Sequence, residues 1–162
     1  MAELTVLEEK LAEVIGLAMA AQGATEKVKG LTDDEELAGQ LELMRDEARK
    51  TEERGTQYVE DLDGKKTAVL EKARETKGEA TEMMSTYLGD DAEGLDGLEF
   101  LVMAEAGEVG HWEILGKLNE RGRVQGVGEL VGWALPIQER HLSAVRECSL
   151  TLAAEEDPNE PE

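Results

Sequence analysis

The sequence predicts an all-α protein, an antiparallel bundle of about five helices. Three observations carry this. Ala, Glu, Leu and Lys dominate, proline stands at only three positions, and runs of β-branched residues are missing. Apolar residues recur at steps of three and four through most of the chain. The breaks between these stretches are short, and short connections between long amphipathic helices make neighbours antiparallel.

The first helix is expected over about 3–24, with Leu4, Leu7, Leu11, Val14, Ile15, Ala18 and Gln22 on one face. Gly30 and the run Thr32-Asp33-Asp34-Glu35 follow. Thr32 is a good N-cap, and Glu35 three residues on completes a capping box. The second helix, about 33–61, presents Leu37, Leu41, Met44, Ala48, Thr51, Tyr58 and Leu62. Asp63-Gly64 reads as a turn. The third, about 65–88, presents Val69, Leu70, Ala73, Ala80, Met83, Met84 and Tyr87, and LGDDAEG ends it. The fourth covers about 92–120 and the fifth about 124–153, with Pro136 removing one backbone hydrogen bond inside it. Residues 1–153 thus form one helical domain, and 154–162 an acidic, proline-containing tail expected to be disordered.

The fourth helix differs from the first three. Leu95, Leu98, Phe100, Leu101, Val102, Met103, Val109, Trp112, Ile114, Leu115 and Leu118 point in every direction around it, which predicts a central, buried helix. It nevertheless carries Glu99, Glu105, Glu108, His111 and Glu113. Carboxylates in an apolar interior are costly unless they are paired, hydrogen-bonded or bound to a cation. Gly107, Gly110 and Gly116 on this helix are expected to let another helix approach closely.

A net charge of −21 repels phosphate backbones and anionic lipid surfaces, so neither nucleic acid nor a membrane is an expected partner. No stretch of apolar residues is long enough to span a bilayer, and the N-terminus lacks the basic start and apolar run of a signal peptide. Cys148 is the only cysteine, which excludes an intrachain disulfide. The expected location is the cytoplasm of a bacterium-like cell.

The chain has two histidines, and both sit in similar phrases, GEVGHWE and PIQERHL. Glu108 precedes His111 by three positions and Gln138 precedes His141 by three. At about 100° per residue, Leu98, Leu101, Glu105, Glu108, Trp112 and Leu115 form one stripe, with His111 at its edge. Gln138 and His141 fall inside the stripe Val127, Leu130, Val131, Ala134, Val145, Cys148, Ser149 and Leu152. Two inward faces each offering an oxygen ligand and an imidazole one turn on match the pattern of dinuclear metal bundles, which use two Glu-x-x-His motifs and two further glutamates. Carboxylates neutralise divalent ions, and imidazole suits Fe, Mn or Zn. The candidate metal ligands are Glu105, Glu108, His111, Gln138 and His141. Glu8 on the first helix and Glu52 on the second are the nearest candidates for the remaining acids, with the amide Gln22 more central than Glu8 on its face. The alternative is a pair of hydrogen-bonded core histidines with Glu105 paired to Arg140 or Arg146.

The run Val109-Gly110-His111-Trp112-Glu113-Ile114 resembles the V-E-H-Y-E-I run of the YciE/YciF-type ferritin-like proteins of bacteria. The order of helices is similar too: a hairpin, a shorter third helix, then two long ones. Gly110 stands where that family has an acid and Trp112 where it has Tyr. Ile137, Gln138 and His141 lie where its last helix carries acids, and Lys50-Thr51 is not followed by a histidine. The resemblance implies a ferritin-like bundle binding Fe or Mn, with stress-related oxidase or peroxidase chemistry toward Fe(II) or a peroxide. The departures leave a single-metal site or a site without metal. A metal-free helical scaffold that pairs with itself, as a homodimer, or with another protein is the other expected reading.

Overall fold

The computed structural model describes residues 2–161. It is all-helical: α1 Val6–Lys29, α2 Glu35–Glu60, α3 Lys66–Tyr87, α4 Gly94–Gly122 and α5 Gln125–Glu155, with no strand among the described residues. The starts of α1 and α2 are set by side chains that satisfy the first free amides. Thr5 Oγ1 accepts from Glu8 N at 3.2 Å, and Thr5 N donates to Glu8 Oε2 at 2.8 Å, a capping box. α2 corrects the expectation at Thr32. Its N-cap is Asp34, whose Oδ1 accepts from Glu36 N and Leu37 N at 2.9 and 3.0 Å. A carboxylate there also meets the positive end of the helix dipole. Thr32 Oγ1 instead accepts from Asp34 N. Between α2 and α3 the chain turns at Gly64, at φ +73°, a left-handed conformation open to glycine at little cost.

α1 lies beside α2, α2 beside α5, α5 beside α4, and α4 beside α1, closing a four-helix ring. α3 packs outside that ring, mainly against α1. The central helix is therefore α1 and not α4. Leu11, Ala12, Val14, Ile15, Gly16, Ala18 and Ala21 are buried around most of its circumference. Small residues hide this in the sequence. They contribute little hydrophobicity, yet they let neighbours come close. A Cβ on Gly16 would lie 2.3 Å from the Ala73 carbonyl oxygen and 2.8 Å from Thr76 Cβ, so the α1 and α3 backbones are in contact there.

α4 has one buried face, and on its other side Met103 and Ile114 are about half exposed, at 46% and 49%. Of its three mid-helix glycines only Gly116 faces a close neighbour, Val131 Cγ1 at 3.2 Å from an ideal Cβ. Around Gly107 and Gly110 nothing lies within 4 Å of such a Cβ, so these two do not serve helix–helix contact.

The core is divided. One apolar cluster gathers Leu11, Ile15, Val59, Trp112, Leu115, Val127 and Leu130 near one end of the ring. A second gathers Val28, Leu41, Met44, Leu98, Leu101 and Val145. Along α4 the two are separated by Glu105 and Glu108, and along α5 by Gln138 and His141. The polar residues form a layer across the middle of the bundle.

Candidate functional site

The α4–α5 hairpin places this layer. α4 is capped by Arg123, whose φ of 53° is left-handed, and α5 begins at Gln125. Asn119 closes the turn from both sides: its Nδ2 donates to the Val124 carbonyl and its Oδ1 accepts from Val124 N, each at 3.0 Å. The hairpin is nearly symmetric about Arg123. Glu105 and His141 are each eighteen positions from it, and Glu108 and Gln138 each fifteen. Eighteen residues make five full helical turns, so Glu105 and His141 return to the face on which the two helices meet.

Glu105, Glu108, Gln138 and His141 are all at most 3% exposed. The Gln138 amide nitrogen donates to Glu105 Oε2 at 2.9 Å and to Glu108 Oε2 at 3.1 Å. The amide is assigned this way so that its N–H groups meet carboxyl oxygens of both acids. His141 Nε2 lies 3.1 Å from Glu47 Oε1, and Arg140 clamps the same Glu47 carboxylate with two bonds of 2.8 and 2.9 Å. Nε2 therefore carries the imidazole proton, and the lone pair of Nδ1 is directed toward Glu105 Oε2, 3.8 Å away.

Electrostatics sharpen the picture. Burial pushes Glu105 up to about 8. Burial, and then the charge of Glu105, push Glu108 well above the usual carboxylate range. Burial lowers His141, opposed by its hydrogen bond to Glu47, so the ring is neutral near pH 7. The Arg140 hydrogen bonds hold Glu47 below its ordinary value. The layer thus contains one ionised, compensated acid on α2 and two uncompensated acids on α4.

Four of the five candidate ligands, Glu105, Glu108, Gln138 and His141, come together. His111 does not join them. Its Nδ1–H donates to the Gly107 carbonyl at 2.7 Å, its Nε2 is 3.7 Å from Glu13 Oε2, and its side chain is 40% exposed. Three positions past Glu108, it has left the buried stripe for the α1–α4 edge. Gln22 and Glu52 bond each other across α1 and α2 at 2.8 Å. Glu8 is likewise engaged elsewhere, with Lys65 and the α1 cap. Arg140 pairs with Glu47 and not with Glu105. Glu47 was missed by the sequence reading. Its position three after Met44 and four before Thr51, both on the buried stripe of α2, was the signal for it.

As arranged, no group of three or more His, Cys, Asp and Glu side chains among the described residues surrounds a metal-sized point. No helix of the described residues is long and apolar enough to cross a membrane. The chain matches no family model, no curated protein and no solved structure.

Proposed function

We propose that the protein is a ferritin-like bundle that binds one divalent cation in its polar layer, through Glu105, Glu108, Gln138 and His141. The observation that carries this reading is the His141 ring. One of its nitrogens is fixed by a carboxylate that is itself clamped by an arginine, and the other turns a free lone pair toward the buried Glu105. Metal-ligating histidines are characteristically oriented in this way, with the distal N–H given to a carboxylate. Three oxygen donors and one imidazole suit Fe(II) or Mn(II) better than Zn(II).

Glu105, Glu108, His141 and, through its amide oxygen, Gln138 would hold the cation, with the Gln138 hydrogen bonds released and the α4 acids deprotonated. The chain's own residues supply the rest: Glu47 and Arg140 hold the imidazole in its tautomer, and the two apolar clusters exclude water. Bound iron or manganese would supply the redox chemistry toward Fe(II) or a peroxide that the resemblance implies.

The test is metal uptake. Protein stripped with a chelator is loaded anaerobically with Fe(II), and separately with Mn(II) or Zn(II), then desalted and analysed for metal. The expected result is one ion per chain and a raised melting temperature, because a ligand bound only to the native state stabilises it. Less than about a tenth of an ion per chain, with no change in melting temperature, overturns the reading. That outcome supports the second one, a metal-free helical scaffold. It is favoured by the hydrogen bonds through which Gln138 already bridges both α4 acids.

A further inference from the structure

A cavity of about 230 Å³ opens between α1, α3 and α4. Its walls are mostly small and apolar, with Ala21, Ala24, Ala80 and Ala104 among them, and Met83, Tyr87 and Met103 stand exposed around its mouth. Two features make it more than a gap between helices. Gly107 forms part of its wall, and no neighbour requires a glycine there. Glu108, 3% exposed, forms part of its lining. Oε2 of that carboxyl group accepts from Gln138 on the bundle side, whereas Oε1 takes part in no hydrogen bond among the described residues.

We propose that this cavity binds a small apolar amine, its hydrocarbon part among the alanines and methionines and its ammonium group on the Glu108 carboxyl group. Size, lining and charge each narrow the class. A cavity of about 150 Å³ accepts benzene, so this one holds a ring with a short arm. Mostly apolar walls with a few polar groups are the usual make-up of a small-molecule site, and here Glu108, His111, Thr81 and Tyr87 supply them. Glu108 is an acid in a chain of net charge −21, which concentrates cations and repels anions. Flexible methionines at the mouth adapt to the outline of the guest. Glu108 is shared with the proposed cation site, so the two readings are tested separately.

The experiment uses the full chain in a chelating buffer, so that its outcome is separate from metal uptake. Phenethylamine, its neutral counterpart n-propylbenzene and the anion hydrocinnamate are titrated by calorimetry and by thermal shift. Phenethylamine is expected to bind at least about tenfold more tightly than propylbenzene, the factor that one charge-assisted hydrogen bond supplies, and hydrocinnamate more weakly than either. Glu108→Gln should abolish the preference for the amine while keeping propylbenzene. Ala80→Leu, which fills the cavity from α3, should abolish both, with circular dichroism confirming that each variant is folded. Equal binding of the amine and the hydrocarbon overturns the proposal, as does no binding of any probe. A dimer by light scattering that Ala80→Leu leaves intact and that excludes all three probes also overturns it, since a second copy would then cover the mouth.

Discussion

Replacing Glu105 by Gln tests the electrostatics of the polar layer directly. Gln is isosteric with the protonated acid and keeps an oxygen for the Gln138 amide, so packing is preserved while ionisation is removed. In the folded protein Glu105 sits at about 8 against an ordinary 4.5. A raised acid binds its proton more tightly in the native state. Its contribution is complete below pH 4.5 and is lost as pH rises toward 8, because the unfolded chain ionises first. The interval corresponds to roughly 5 kcal/mol. Urea unfolding followed by tryptophan fluorescence, in a chelating buffer, reads this well because Trp112 is 1% exposed. Wild type and Glu105→Gln should be nearly equal at pH 4.5, and the variant should be more stable by several kcal/mol at pH 8. Parallel stability curves for the two proteins between pH 4.5 and 8 would refute the claim that this carboxyl group is buried without a compensating cation.

Two further outcomes are expected. His141→Ala should reduce metal uptake at least about tenfold, whereas His111→Ala should leave it unchanged, because His111 faces Glu13 and solvent; elemental analysis of both loaded variants decides between them. Gly16→Ala should lower the melting temperature. Its Cβ would meet the Ala73 carbonyl at 2.3 Å, and forcing α1 and α3 apart costs about 1–3 kcal/mol, so a variant as stable as wild type by thermal melting would show that the crossing is looser than described.

Helix number and order were legible because each helix carries its own period and each break its own turn residues. The α4–α5 half of the site was legible for the same reason. Glu105 and Glu108 continue the stripe from Leu101 to Trp112, and Gln138 and His141 continue the one from Ala134 to Val145. What sequence periodicity does not carry is which partner each helix faces. α1 is central because of Gly16 and its alanines, and a hydrophobicity count passes over residues that contribute space. α4 looked central because its side chains are large, yet Met103 and Ile114 remain half exposed. His111 was paired with Glu108 by spacing alone, but three positions rotate the side chain about 60° around the helix, enough to leave the interior. Glu47 reaches the site from α2 only because α2 lies beside α5 in the ring, a register no single helix encodes. The hairpin symmetry about Arg123 was readable from the chain, since two helices joined by a tight turn must bring equidistant positions together.

The charges of the layer decide how metal binding must depend on pH. Arg140 is engaged by Glu47, His141 is neutral, and no lysine or arginine among the described residues pairs with Glu105 or Glu108. Those two acids can stay buried in only two ways, protonated or beside a cation. A divalent ion in the layer must therefore displace protons that near pH 7 are still bound. The apparent affinity should rise steeply from pH 5 to 8, by up to about tenfold per pH unit for each proton released. Ions held by the exposed carboxylates behave differently, because those groups are already ionised above pH 6 and release nothing. Mn(II) titrations across this range separate the two cases, as does calorimetry in buffers of differing ionisation enthalpy. An affinity that does not change between pH 6 and 8, with no proton release, would place the metal on the surface and leave the interior acids to their protons.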